Sequence, residues 1–143
     1  MICRVEHIKK KRLLVPIDGT ERSLHSLDLI KSIYSKDEVE IILMNVKELV
    51  VMSDMSIPNE LKRAEERGNI LLKEGEDLLQ GYSIRKYFTF GYASDEIIKV
   101  AKEEFIDVII MTKSTKKGLT RMIGSVTSSV VKKANCIVMI VPE

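Results

Sequence analysis

Short apolar runs alternate along this chain with longer amphipathic segments, and this alternation predicts both the elements and their order. The strand-like runs are residues 13–17, 39–46, 84–90, 108–111 and 136–141. Three of them, LLVPI, IILMNV and VIIM, are apolar at nearly every position rather than at every second one. Such strands are typical of a parallel sheet that helices cover on both faces.

The segments between the strands carry apolar residues at helical spacing. The first helix is predicted over residues 23–34 after Thr20, a suitable N-cap, and the second over residues 58–80, opening with a proline. A third follows Gly91, and a fourth spans about residues 127–134. The apolar stripes are Leu24, Leu27, Ile30 and Tyr34 in the first helix, Leu61, Ala64, Gly68, Leu71, Leu72, Gly75, Leu78 and Leu79 in the second, and Ile97, Ile98, Ala101 and Phe105 in the third.

Two glycines, Gly68 and Gly75, lie on the apolar stripe of the second predicted helix. Each lowers helix stability by roughly 1 kcal/mol relative to alanine. A glycine on the apolar face lets the helix backbone approach a sheet closely, so we interpret both as packing residues rather than catalytic ones.

The order strand-helix, repeated and ending on a strand, predicts an α/β fold with a doubly wound five-stranded parallel sheet and helices on both faces. We expect a short N-terminal lead-in, residues 1–11, followed by a single domain over residues 12–143. In open sheets of this kind, ligands bind beyond the carboxyl ends of the strands, where the winding reverses.

Composition excludes several function classes. The chain has 143 residues, 45% of them hydrophobic, and its net charge of +2 indicates no general affinity for nucleic acid or for a membrane. The basic cluster at residues 9–12 lacks interleaved aromatics, and no apolar run is long enough to span a bilayer. The two cysteines have no CxxC spacing, and both histidines are isolated, so we predict a cytoplasmic protein without a metal site or catalytic constellation.

Two loops carry side chains suited to ligand binding, and the first follows the first strand and reads Pro16-Ile17-Asp18-Gly19-Thr20. An aspartate at the carboxyl end of a strand can accept hydrogen bonds from a ribose or a nucleobase, or hold a cation. The alternative is that Asp18 merely forms a turn with Gly19.

The second loop, residues 113–125, leaves the fourth strand, is rich in lysine and ends in Gly124-Ser125 before the last helix. A helix N-terminus presents unpaired N–H groups and a partial positive charge, and a glycine there lets an anion approach the main chain. The alternative is structural, because serine is a good N-cap and glycine turns the chain.

Four segments, in this order, resemble the universal stress protein family. Residues 11–26, KRLLVPIDGTERSLHS, resemble the family's opening strand and V-P-x-D-G-S/T-E-x-S, and LMNV resembles its second-strand ending L-x-H-V, with Asn45 in the histidine place. GYASDEIIKVAKEEFIDVIIMT and GSVTSSVVKKANCIVMIVPE resemble the family's two C-terminal patterns. The resemblance covers almost the whole chain and implies a Rossmann-like fold of the adenine nucleotide alpha hydrolase type.

The ATP-binding branch of that family has a fourth loop of the form G-x-x-G, nine residues, then G-S/T. The resemblance implies an adenine nucleotide site in which Asp18 is the first-strand acid, Val46 marks the adenine contact, and Gly124 and Ser125 end the phosphate motif. The predicted cofactor-binding residues also include the neighbouring Pro16, Ile17 and Val126.

The first two glycines of the motif are absent, because Met111 and Ser114 occupy their places. A side chain at a phosphate-wrapping turn blocks close approach of the anion. Four basic residues of the same loop can hold phosphates by charge, or can belong to a solvated loop: Lys113, Lys116, Lys117 and Arg121.

These observations leave two alternative functions open. The first is a regulatory module that binds ATP, with magnesium, or another adenine nucleotide. The second is an ATP-independent stress protein that acts as a dimeric interaction module. A weak ATPase is the most enzymatic activity the sequence supports, since no residue is identified as a general base.

The last strand, from Cys136 through Val141, is apolar at almost every position and ends the sheet. Because an exposed apolar edge invites aggregation, we predict that it pairs with its copy in a homodimer, as the resemblance also implies. The apolar connection at residues 49–55 has two interpretations: a cap over the cleft, or a segment buried against the second helix.

Overall fold

The computed structural model describes residues 9–49, 57–112 and 124–142. Strands and helices alternate through these residues, which confirms the predicted order. The elements are β1 (Lys11–Pro16), α1 (Glu21–Ile33), β2 (Val39–Lys47), α2 (Ile57–Leu78), β3 (Ser83–Phe90), α3 (Ala93–Glu103), β4 (Val108–Thr112), α4 (Ser125–Lys133) and β5 (Ile137–Val141). The apolar connection at residues 49–55, for which two interpretations were open, lies outside the described residues except for Leu49.

The strands form one parallel sheet in the order β3-β2-β1-β4-β5, which confirms the doubly wound, Rossmann-like fold. After β1 the chain adds β2 and β3 on one side, and β4 and β5 follow on the other. The winding therefore reverses between β1 and β4, which places a crevice at their carboxyl ends.

Two hydrophobic cores lie on the opposite faces of the sheet. Alternate residues of β1 serve different cores: Leu13 and Val15 pack with α1 and α2, and Leu14 packs with α3 and α4. The helices contribute Leu27, Ile30 and Leu72 to the first core and Ile97, Val100 and Val130 to the second. Because each central strand is buried on both faces, its sequence is continuously apolar.

Helix α2 packs on the sheet through its two glycines, as predicted. A Cβ at Gly68 would lie 2.3 Å from the Phe88 ring and 3.0 Å from the Asn45 Oδ1 atom. A Cβ at Gly75 would lie 3.0 Å from the Leu43 Cδ1 atom. Both positions are buried, so the glycines set the distance between α2 and the strands beneath it.

The sequence-based placement of Phe105 on the apolar stripe of α3 is wrong. The helix ends at Glu103, and Phe105 has a φ of 52° and a side chain that is 78% exposed. The amide of Phe105 donates to the Lys102 carbonyl, and that of Ile106 to the Ala101 carbonyl. This is a Schellman C-cap, in which the left-handed residue turns the chain and Ile106 packs in the core instead.

We predict that Gly68→Ala destabilises the fold by about 1–3 kcal/mol, because overpacking outweighs the gain in helix propensity. Urea unfolding measures the change. Asn69→Ala, at an exposed position one residue along the helix, is the matched control and should be neutral or slightly stabilising. Equal stability of Gly68→Ala and Asn69→Ala would contradict the packing role of Gly68.

We predict that Phe105→Gly raises the free energy of unfolding by about 1 kcal/mol, because glycine adopts the left-handed conformation without strain. Phe105→Ala is the control, since alanine removes the exposed ring and keeps the backbone strain. Thermal unfolding of both variants separates the two effects. Equal melting temperatures would show that backbone conformation is not the cause.

Candidate functional site

A cleft of about 460 Å³ opens at the carboxyl edge of the sheet, where β1 and β4 end and the winding reverses. Six of the predicted site residues line it: Pro16, Ile17, Asp18, Val46, Met111 and Val126. Gly124 and Ser125 directly precede Val126, whereas Ser114 and the four basic loop residues lie outside the described residues. The predicted site residues within the described chain therefore converge on one edge of the sheet.

Asp18 is held in a tight turn at the end of β1. Its Oδ1 atom accepts hydrogen bonds from the Thr20 amide at 3.0 Å and from the Thr20 hydroxyl at 2.7 Å. Gly19 between them has a φ of +86°, which favours glycine. Asp18 therefore forms a turn with Gly19, and this turn orients a side chain that also lines the cleft.

Asn45 fixes the position of this loop from β2. Its Nδ2 atom donates a hydrogen bond of 2.8 Å to the Ile17 carbonyl, and the Ile17 amide donates to the Met44 carbonyl at 2.8 Å. Two hydrogen bonds therefore join Ile17, the residue before Asp18, to β2. Val46, which follows Asn45 in β2, lines the cleft.

The opposite wall of the cleft comes from β4 and α4. Met111 is a buried strand residue paired with Ile140, and its side chain belongs to the second core. The N-cap of α4 is Gly124, with an extended backbone and no side-chain cap, so the alternative in which Ser125 caps the helix is wrong. The amides of the first turn of α4 consequently have no capping side chain.

The cleft also contains residues that the sequence analysis missed. The apolar ones are Met44, Ala93 and Ile97, and the polar ones are Glu21, Arg22, Ser23, Thr112 and Thr127, beside Thr20 of the predicted loop. Arg22 and Ser23 lie in the first turn of α1, directly after the predicted N-cap Thr20, and that position is the signal that identifies them. The cleft thus combines an apolar floor with hydroxyl, carboxylate and guanidinium groups.

The described ranges of the chain hold no group of three or more His, Cys, Asp or Glu side chains arranged to bind a metal ion. In the same ranges, no helix combines the length and the apolar character needed to cross a membrane.

Cys136 lies outside the cleft, just before β5, which begins at Ile137 rather than at the predicted Cys136. Burial, together with the nearby charge of Asp107, raises the pKa of its thiol. The side chain therefore stays a neutral thiol at physiological pH, which disfavours nucleophilic chemistry.

Comparison with known proteins identifies relatives that share this sequence pattern and this fold. The family model for the universal stress protein family matches residues 10–142. A universal stress protein of Methanothermobacter thermautotrophicus is 33% identical, over 92% of this chain and 94% of that protein. The solved structure of MJ0577, a universal stress protein of Methanocaldococcus jannaschii, superposes with a TM-score of 0.75 at 30% identity, covering 93% of this chain and 96% of that one.

Two more distant structures share the fold and contain a nucleotide. One is a universal stress protein in complex with cAMP, with a TM-score of 0.69, 20% identity and coverage of 93% of this chain and 97% of the other. The second is an Arabidopsis thaliana universal stress protein family protein with AMP bound, with a TM-score of 0.68, 17% identity and coverage of 93% and 92%. The family model over residues 10–142 and the relative that is 33% identical establish that the chain belongs to the universal stress protein family.

Proposed function

We propose that this universal stress protein binds an adenine nucleotide in the cleft as a regulatory ligand. The main support for the proposal is that apolar side chains and the N-terminus of α4, which has no capping side chain, line the same cavity. An apolar surface suits a base, and a helix N-terminus suits a phosphate.

The base occupies the apolar part of the cleft. Val46, Met44 and Ile97 line this part, and Val46 follows Asn45 near the carboxyl end of β2. Burial of a flat heterocycle against such side chains is favourable in proportion to the apolar area removed from water.

Asp18 supplies the acceptor for the ribose or the base. Its Oδ1 atom is engaged by Thr20, and within the described chain nothing donates to its Oδ2 atom. A carboxylate that is already oriented by its neighbours loses little side-chain entropy on binding a donor.

The phosphates lie at the N-terminus of α4, beside Gly124, Ser125 and Val126. The uncapped amides there offer donors for an anion, and the helix dipole adds a partial positive charge. Arg22 also lines the cleft and contributes a full positive charge from α1.

Adenine is the proposed base because two structural neighbours contain cAMP and AMP. ATP with magnesium is the finer form of the proposal, and the loop that bears Ser114 and the lysines determines whether three phosphates fit. We also propose a cytoplasmic location and a single domain over residues 12–143.

A second candidate, an ATP-independent interaction module, is favoured by Met111. This side chain lines the cleft at a position where the ATP-binding branch has a glycine. A bulky side chain at that point reduces the room for a phosphate chain.

Calorimetric titration with ATP, with and without magnesium, and with AMP tests the proposal. We expect saturable binding of an adenine nucleotide and no binding of the matching guanine nucleotide. The absence of binding for every adenine nucleotide would select the second candidate.

Asp18→Asn should weaken nucleotide binding by roughly tenfold, since a hydrogen bond to a charged acceptor becomes one to a neutral amide. The Asn side chain retains an oxygen for the Thr20 hydrogen bonds, so the turn is preserved. Asp28→Asn, on the exposed surface of α1, is the matched control and should bind as wild type does. Unchanged affinity of Asp18→Asn would remove Asp18 from the site.

We propose that the protein is a homodimer that pairs through β5. This strand is at the edge of the sheet and has β4 as its neighbour on one side. Ile137 in β5 is 65% exposed, and Val131 on α4 is also exposed. Pairing with a second copy covers this apolar edge.

Ile137→Lys should convert the dimer to a monomer, because a buried lysine without a partner is costly at an interface. Ile70→Lys is the matched control, since Ile70 is 61% exposed on α2, a helix that is remote from the β5 edge. Light scattering after size-exclusion chromatography measures both masses. A monomeric wild type, or a dimeric Ile137→Lys, would contradict pairing through β5.

A further inference from the structure

A smaller hollow lies at the amino edge of the sheet, at the opposite end of the strands from the cleft. It has a volume of about 180 Å³ and opens where α3 and α4 end. Its apolar lining consists of Ile98, Ala101, Phe105, Ile106, Ala134 and Cys136, and Lys102 and Asn135 complete it. We call this site the amino-edge hollow. It shares no lining residue with the cleft, so the two sites are separate.

Phe105 forms one wall of the amino-edge hollow and combines two unfavourable features. Its side chain is 78% exposed, although an aromatic ring gains much from burial. Its φ of 52° lies in the left-handed region, and among the described residues it is the one non-glycine with a positive φ. Such a backbone is costly for a bulky residue and free of strain for glycine. Strained residues concentrate at functional sites, which points to a role for the exposed ring.

The size of the amino-edge hollow indicates what it can receive. Ile98, Ala101 and Ile106 are core residues that are 6–9% exposed, and they line the hollow beside the ring of Phe105. Sites for drug-sized ligands measure about 300–1,000 Å³, so about 180 Å³ suits a single large apolar side chain instead. An exposed aromatic residue beside an apolar hollow is typical of the anchor points of protein interfaces.

The rim of the amino-edge hollow is positively charged on the side of α4. Lys99 and Lys102 lie on the stripe of α3 that faces α4, because Asp95 on the same stripe forms an ion pair of 3.0 Å with Lys133. Both Lys99 and Lys102 are exposed, and within the described parts of the chain neither has an ion-pair partner. Glu103 lies about 100° around the helix axis from Lys102, away from α4.

The other acidic groups near the end of α3 are already engaged. Glu104 forms an ion pair with Arg85 of β3, and the Asp107 carboxylate accepts a hydrogen bond of 2.8 Å from the Arg12 amide. Neither carboxylate is therefore available to neutralise Lys99 and Lys102. The charge that complements this rim is negative, and it must come from outside the described chain.

We propose that the amino-edge hollow is a docking site for an acidic segment of a partner protein. The segment inserts one large apolar side chain beside Phe105 and presents carboxylates to Lys99 and Lys102. The exposed ring, the apolar hollow and the unpaired lysines each contribute one part of this recognition. The proposal goes beyond nucleotide binding and does not depend on it, because the hollow and the cleft lie at opposite edges of the sheet.

A library of random peptides displayed on phage tests the proposal, with selection on wild type and counter-selection on Phe105→Gly. We expect the enriched peptides to combine Phe, Leu or Trp with several Asp or Glu residues. Fluorescence anisotropy with a synthetic peptide of the enriched sequence then measures the affinity. Phe105→Gly should weaken binding roughly tenfold or more, since an aromatic anchor is lost. Lys102→Glu should weaken it about fivefold or more, and added salt should also weaken it.

Two controls separate docking from folding and from nucleotide binding. Phe105→Gly should be more stable than wild type because glycine relieves the backbone strain, so its loss of peptide binding cannot come from unfolding. Tyr92→Ser is the matched variant, since Tyr92 is a 75% exposed aromatic residue at the start of α3, near the cleft. It should bind the peptide as wild type does. AMP should bind Phe105→Gly and wild type equally, and failure of wild type to bind AMP would refute the proposed function alone.

Four results would overturn the docking site. The first is that no enriched peptide distinguishes wild type from Phe105→Gly, and the second is that the enriched peptides are basic. The third is sedimentation of wild type with phosphatidylserine vesicles that is lost in Phe105→Gly, because the occupant would then be an anionic membrane surface. The fourth is an assembly larger than a dimer that Phe105→Gly dissociates, because the occupant would then be a second copy of this chain.

Discussion

The structure depends on one constraint: all strands of the sheet are parallel, so each connection between neighbours must cross a face of the sheet in the right-handed sense. The chain first builds outward from β1 with α1 and α2 on one face, and then returns to add β4 and β5 with α3 and α4 on the other. At the boundary between β1 and β4, the helices leave to opposite faces. The cleft is a consequence of this reversal and not of any single side chain.

The ends of the elements around the cleft differ in how their polar groups are satisfied. At β1 and α1, Asp18, Thr20 and Ser23 bond to one another and to the backbone, and Asn45 links the loop to β2. At α4, the glycine N-cap has no side chain that could accept from the first-turn amides. One side of the cleft is therefore held by its own hydrogen bonds, and the other side has backbone amides without a capping side chain.

Much of the fold could be predicted because its signals are local and redundant. Continuous apolar strands, helical stripes and the N-cap Thr20 each specify the same alternation, and the glycines of α2 lie on its apolar face. Phe105 was misplaced because a side-chain period cannot reveal a left-handed backbone, and the apolar residue after it, Ile106, took the core position.

The site was predicted in part, for a related reason. Asp18, Val46 and Val126 are adjacent to strand or helix ends, and their position in the sequence brings them to the cleft. Short polar residues lie at the start of both helices that begin at the cleft, but the hydroxyl of Thr20 caps α1, whereas Gly124 caps α4 without a side chain. Such a difference requires the hydrogen bonds to be known.

The central claim is that an adenine nucleotide binds at the carboxyl edge, between β1 and α4. Two-dimensional amide NMR spectra of the labelled protein during titration with AMP test it most directly. The account predicts the largest shifts at the amides of Ser125, Val126 and Thr127, with further shifts at Asp18 and Val46. Saturable binding that shifts instead the opposite edge of the sheet, at Arg12 and Arg85, or no shift at any AMP concentration, would contradict it.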